Sequence, residues 1–526
     1  MKAVKTTQEL TTLLREEGFL ISTPFLNTSN QPRISTDLYL TTVDKIQVLP
    51  FPPNTVGNVE PDKEASREKL VRMGYGEEEA RRLVDEIARY DDDFTVEVPD
   101  WLQASDGVSE PVVSLKEIRE NCPVLYALLT GVGLAKEDAE TKPAYEIEPL
   151  GLSVFLKWYT DENLETLKAI VALRLYDDTE EVMHRDSIYA IYTDSEEMVL
   201  FQDIMVIAEI PMTQAYVTHY CPEEKWEMAT DLFEETRSAM RERILANTWL
   251  SEESKQKAIE KLEDMVLSPI VAPGGSFDCG PVLEALRNCD DLLDAAALCR
   301  RFKNQCLLRY TGEKIDTSNP YTSGIGVMAL GGQYLPQFNI FCIGAPALNG
   351  SFCDPTSRET LLGTLGMHIS HEVSHGFDSL GAMRDVTGTG TLFTDEDLRV
   401  FNEKTASIAS LLDKVETGNG YHVMGDQVTY EAMADLTGMC LMLDLAKKEE
   451  NFDYDAFFRA FAGFYFLYDY GNVHMPNEAG RVDTHPPYYV RFNYTVSQFE
   501  EFYRTYPSVT EGTPMYVAPE NRILAW

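Results

Sequence analysis

Positive charge is scarce in this 526-residue chain: 45 Lys and Arg stand against 86 Asp and Glu, for a formal net charge of −41 at pH 7. Such a field repels nucleic acid and anionic lipid and favours cationic partners or substrates. A solvated acidic surface is the more general explanation. Long apolar runs are also missing. None approaches the ~20 residues that span a bilayer, and the N-terminal MKAVKTTQELTTLLREEGF has no apolar core of the secretory kind. The nine cysteines (Cys122, Cys221, Cys279, Cys289, Cys299, Cys306, Cys342, Cys353 and Cys440) are odd in number and scattered, and no CxxC occurs. A disulfide framework and a cysteine-based zinc site are therefore not expected, and a reducing compartment fits best. The expected location is cytoplasmic, with secretion the alternative if an N-terminal segment has been removed. No repeat, low-complexity tract or heptad pattern is present.

What is there is mostly helical pattern. A chain of this length exceeds one compact core, so two or more domains are expected. Leu10, Leu13, Leu14 and Phe19 mark an amphipathic N-terminal helix, and residues 66–90, 223–265 and 283–302 carry apolar residues at helical spacing. A Pro/Gly-rich break lies at 268–281, and β-like runs at 324–330 and 338–343 are separated by GGQYLPQ. The organisation read from this is a helical region over 1–266, a connecting segment over 267–316 and a C-terminal domain over 317–526.

Histidine is rare too, yet three of the eight, His368, His371 and His375, fall within GMHISHEVSHGFD. Thr356 with Glu359 is a capping-box signature for a helix here, and Leu361, Leu362, Leu365, Ile369, Val373 and Phe377 supply its apolar stripe. His371 and His375 are four apart, so at ~100° per residue they project ~40° from one another on one face. Two imidazoles so placed can hold one zinc ion, and Glu372 between them can act as general base without ligating the metal. A helix with incidental histidines is the competing reading. A zinc site needs a third ligand. The candidate is YEAMAD, 56 residues after His375, where Glu431 and Asp435 share a helix face. Glu431 can complete a His2Glu set, and Asp435 can accept the other ring N–H of a ligand histidine.

HEVSHGFD, then EAMAD, then DTHPPYYVR, in this order before a terminal Trp526, resembles the neprilysin family of zinc metallopeptidases. NTWLSEESKQKAIEKLEDM (247–265), TTQELTTLLREEGF and YLTTVDKIQVLP (39–50) resemble further family segments, so the resemblance covers nearly the whole chain. It implies a mainly α, two-lobed fold with a central cavity between a lid region and a thermolysin-like catalytic lobe that carries a small sheet. It implies one zinc per chain on His371, His375 and Glu431, with Glu372 as base and Asp435 supporting a ligand. It implies that His485 stabilises the oxyanion, that Asp483 orients His485, and that Arg491 hydrogen-bonds a carbonyl beside the cleaved bond. Asp378 is either a support of the metal helix or a helix-end residue. The activity implied is internal cleavage of oligopeptides. The alternative is a catalytically impaired peptide-binding homologue of the same fold.

The chain departs from the family pattern in three places. In GGQYLPQFN, the edge-strand segment, Tyr334, Pro336 and Asn339 match, but Gly331 stands where Asn is usual and Gly332 where Ala is. Gly332 can still offer backbone groups to an extended peptide, and two glycines suggest a looser strand. His368 replaces an aliphatic residue of the pocket for the side chain after the cleaved bond. A pocket-lining role, a structural role and a fourth metal ligand are its three readings. Finally, the chain starts inside the family's N-terminal region and ends in NRILAW without the cysteine of extracellular members. A membrane anchor and an initial lobe segment are expected to be absent, and self-association or a separate segment is one way to complete the lobe.

Overall fold

Hydroxyl caps start several of the helices. Ser114 opens Leu115–Asn121 with a reciprocal box to Glu117. Ser251 opens Glu252–Asp264 by accepting the Ser254 N–H, and Thr394 opens Asp395–Leu412 by accepting that of Asp397. Each side-chain oxygen satisfies an N–H that the first helical turn leaves unbonded. The computed structural model describes residues 3–17, 26–28, 45–50, 63–97, 112–131, 144–147, 149–183, 208–268, 278–308, 331–336, 339–386, 390–417, 421–470, 485–524 and 526.

By packing, the chain divides into two units, the first taking described residues up to 212 and those of 278–308, the second 213–268 and everything from 331 onward. The first unit is helical around a small sheet. Its strands are β1 (Leu26–Thr28), β2 (Lys45–Pro50), β3 (Val112–Ser114) and β4 (Ala144–Ile147), in the order β1-β2-β4-β3 with β2 and β4 parallel. Sequence pattern does not reveal this sheet, because its strands are too short to show alternation. The expected N-terminal helix is Thr7–Glu17, with Leu10 and Leu14 buried; Phe19 lies outside the described residues. The 66–90 pattern is two helices, Lys63–Arg72 and Glu77–Glu97, with Gly74 between them at φ 92. That left-handed conformation suits glycine.

The second unit is drawn differently from the domain division read in the sequence. The helices Glu223–Ala246 and Glu252–Asp264 place Phe233, Met240, Ile244 and Leu262 in the same core as Phe341, Leu365, Val373 and Phe377. An apolar stripe announces that a helix buries a face, but not which core receives it. β5 (Val266–Ser268), β6 (Gly332–Leu335) and β7 (Ile340–Ile343) form a sheet in the order β5-β7-β6. GGQYLPQ, a separator by pattern, is thus largely strand, as the family resemblance implied. The run at 324–330 lies outside the described residues.

The HEVSH helix begins one residue later than the pattern predicts. Thr356 turns back onto Asp354, to which it donates through both its N–H and its hydroxyl. Ser357 takes over as cap, with Thr360 rather than Glu359 as its reciprocal partner. The helix then runs through Arg358–Leu361, a π-helical turn Leu362–Gly366, and Met367–Ser374. Leu362, Leu365, Ile369, Val373 and Phe377 are fully buried, while Leu361 is only half-buried. Among the described residues no helix is long and apolar enough to cross a membrane.

Candidate metal centre

The HEVSH helix packs against Gly425–Ala446, the helix that carries EAMAD. Gly438 sets the closeness of that crossing: a Cβ there would lie 2.9 Å from Ser370 Oγ and 3.0 Å from the backbone nitrogen of His371. With no side chain at 438 the two backbones come close enough for Glu431 and Asp435 to meet the imidazoles.

His371 Nε2 and His375 Nε2 are 3.0 Å apart. Glu431 spans the pair, with Oε2 3.2 Å from His371 Nε2 and Oε1 3.6 Å from His375 Nε2. Glu372 is close as well, since His371, Glu372 and His375 present ligand-type atoms all within 4.8 Å of one another. The surroundings separate the two carboxylates. Glu431 faces both ring nitrogens that would point at a metal, whereas Glu372 Oε2 accepts the Tyr334 N–H at 2.7 Å and is tied to the sheet edge.

The outer ring nitrogens are also held. His371 Nδ1 lies 2.8 Å from Asp435 Oδ1, and His375 Nδ1 lies 2.6 Å from Asp378 Oδ2. A carboxylate on Nδ1 selects the tautomer that leaves Nε2 as a donor to a metal. Asp435 is buried, and burial resists its charge, yet Arg491 and His371 hold its pKa well below the usual carboxylate range. Arg491 grips it with both arms of the fork, Nε to Oδ2 at 2.8 Å and Nη2 to Oδ1 at 2.7 Å. Burial likewise opposes a charge on His371, but Asp435 and Glu431 outweigh it and raise its pKa to about 10. Glu431 is held far below its ordinary value against the cost of burial, by His371 and His485. The site is thus built to stabilise positive charge between two imidazoles and a carboxylate. Two nitrogens and one oxygen of this kind are a zinc donor set, so the residues present fit that metal.

His485 Nε2 is 3.2 Å from Glu431 Oε1, and its side chain is half exposed. Asp483 lies outside the described residues. Tyr334 is buried with its hydroxyl on Asn339, so its side chain serves the core and only its N–H faces the site. The Gly331 carbonyl is taken by the Gly344 N–H on the β7 side. By strand alternation the backbone groups of Gly332, like those of Tyr334, point away from β7. A Cβ at 332 would meet Phe341 at 2.6 Å and His368 Nε2 at 2.8 Å, so the two rings together leave room only for glycine. His368 is buried edge-on against Phe464, and its Nδ1 has no hydrogen-bond partner among the described residues. Burial pushes its pKa down to about 4.

Tyr465 is not legible in the sequence. It donates to Asp435 Oδ1 at 2.7 Å, and its ring lies under the Arg491 guanidinium at 4.9 Å. It sits in FYFLYDY, an aromatic run in which nothing distinguishes one ring from another.

An HExxH helix crossed by an acid-bearing helix, with Glu372 tied to a strand edge, defines a zinc-metallopeptidase type of site. The chain belongs to peptidase family M13, whose models match residues 68–269 and 332–523. Its fold is similar to that of the Mycobacterium tuberculosis zinc metalloprotease Zmp1 in its open state, with a TM-score of 0.70 at 19% identity over 99% of this chain and 84% of the other. It is similar as well to PepO from Lactobacillus rhamnosis HN001, with a TM-score of 0.65 at 20% identity over 99% and 85%. In sequence it is 32% identical over 287 residues to a neutral endopeptidase of Lactococcus lactis, covering 54% of this chain and 44% of that relative. A neutral endopeptidase of Lactobacillus helveticus is 29% identical over 321 residues, covering 59% and 47%. The chain therefore matches about half the length of these curated relatives.

Proposed function

We propose that this chain is a zinc-dependent endopeptidase that cuts internal bonds of oligopeptides. The observation that carries the reading is Glu431 lying within 3.6 Å of both Nε2 atoms while Glu372 is anchored separately to the Tyr334 N–H. In this reading His371, His375 and Glu431 hold one zinc, and bound zinc supplies Lewis acidity toward water and the substrate carbonyl. Glu372 takes a proton from the attacking water and returns it to the departing amine. His485, half exposed beside Glu431, donates to the oxygen on which charge develops. Arg491 makes no hydrogen bond through Nη1 among the described residues, so that arm is free to donate to a peptide carbonyl while the other two stay on Asp435. The outward-facing backbone of Gly332 pairs with the extended substrate.

Purified protein should carry about one zinc per chain and cleave an internally quenched peptide between its two labels. Cleavage should stop with a zinc chelator and return when zinc is added back. Zinc-loaded protein that binds the peptide but leaves it whole would favour the binding homologue instead.

His368 belongs to the same proposal as a polar wall for the side chain after the cleaved bond. Its buried, unsatisfied Nδ1 is the motive. Cleavage of a peptide library by wild type and by His368→Val should show the variant turning toward aliphatic side chains at that position. Indistinguishable profiles would remove His368 from the specificity set.

A further inference from the structure

Among the buried charged side chains that the mechanism above leaves unused, Lys261 is the most deeply enclosed. Lys261, in the helix Glu252–Asp264, is wholly buried within the second unit. Its Nζ donates to the carbonyls of Gly381 and Arg384 at 2.7 and 2.8 Å. Burial pushes its pKa down to about 7, and Asp378 and Asp385 oppose that shift without cancelling it. A buried amine with no close ion-pair partner among the described residues is costly, and an apolar residue of similar volume is often the more stable choice. Such a residue calls for an explanation beyond packing.

Two hydrogen-bonded routes leave Lys261 and end at the metal centre. The first runs through the loop it clamps. Asp378 Oδ1 accepts the N–H groups of Leu380 and Gly381 at 2.7 Å each, while its Oδ2 holds His375 Nδ1 at 2.6 Å. Fixing the Gly381 carbonyl therefore fixes the turn on which the His375 support is folded. The second runs through the backbone. The Lys261 carbonyl accepts Asn339 Nδ2 at 2.8 Å, Asn339 Oδ1 accepts the Tyr334 hydroxyl at 2.8 Å, and the Tyr334 N–H holds Glu372. Asn339 has a positive φ of 52, a left-handed conformation that asparagine adopts more readily than most residues. The Lys261 Nζ also sits 5.8 Å from the Tyr334 ring centre.

We infer that Lys261 is a positioning residue of the metal centre: it clamps the Gly381–Arg384 turn so that Asp378 orients His375, and its backbone shares in holding the strand that orients Glu372. The inference rests on the zinc-peptidase reading above. A residue that holds a ligand histidine only through its carboxylate partner should act on metal retention as such partners do, by about 10–100-fold.

The test uses the full chain with Lys261→Met and Lys261→Gln. Zinc retention is measured by competition with a chromophoric chelator, thermal unfolding is measured on the metal-free proteins, and kcat and KM are measured on the quenched peptide. Lys261→Met should fold, retain zinc at least about ten-fold more weakly, and lose kcat with little change in KM. Lys261→Gln keeps an N–H donor and should recover part of both losses. The inference is overturned if Lys261→Met retains zinc like wild type, if kcat is untouched, or if neither variant folds, since a folding role would then account for the lysine. Failure of the underlying reading looks different, because wild type itself would then neither bind zinc nor cleave.

Discussion

Replacing Glu372 by glutamine should lower kcat by about 10²–10⁴-fold, with zinc still bound and the peptide still recognised. The substitution is close to isosteric, and the amide oxygen can keep accepting the Tyr334 N–H that now reaches Glu372 Oε2 at 2.7 Å. What disappears is the ability to take a proton from water. The measurement is single-turnover cleavage beside a zinc determination on the same sample. The reading of Glu431 as ligand and Glu372 as base requires the two properties to separate. If Glu372→Gln lost zinc together with activity, Glu372 would be a ligand, and the third-ligand role of Glu431 would fall with it.

The second large effect is expected at the Asp435–Arg491 pair, where the two partners should behave oppositely toward zinc. Asp435→Asn leaves the buried Arg491 guanidinium beside His371 and Glu431 without its carboxylate, and takes the anionic acceptor from His371 Nδ1. Breaking a buried pair from one side typically costs about 3–5 kcal/mol of stability, and loss of a carboxylate behind a ligand histidine weakens metal binding about 10–100-fold. Arg491→Met removes a cation whose Nη2 lies 3.3–3.5 Å from His371 and Glu431. Asp435 then still accepts from the Tyr465 hydroxyl at 2.7 Å and faces His371 Nδ1 at 2.8 Å. That variant should hold zinc at least as firmly as wild type yet cleave poorly, because the arm proposed for the substrate carbonyl has gone. Calorimetric unfolding and chelator competition on both variants check the contrast. Equal zinc loss in the two would show that Arg491 supports the metal rather than the substrate.

Much of this site is legible in the sequence. The pairing of His371 with His375 follows from helical pitch alone, and the structure gives 3.0 Å between their Nε2 atoms. Glu431 and Asp435 share a face for the same reason, and both reach the imidazoles. The departures near the site are local. The helix cap falls on Ser357 rather than Thr356 because Asp354 captures the threonine. Tyr334 turns its side chain into the core, so the strand offers the site only backbone. The larger gap is in long-range partnership. No pattern ties Tyr465 to Asp435, Lys261 to the Gly381–Arg384 turn, or the helices of 223–264 to the core of the second unit.

The chain by itself determined which residues could act together along one helix, where several helices begin, and that its cysteines are spread without a ligand spacing. Those are properties of neighbours, set by 3.6-residue pitch and by the hydrogen-bonding needs of helix ends. The tertiary structure alone decided which carboxylate faces the ring nitrogens, which one is fastened to the strand edge, and what a buried lysine clamps. Such contacts join segments far apart in sequence, and the meeting of Glu431 and Asp435 with the imidazoles also needs two helices to approach as closely as the bare backbone at Gly438 permits.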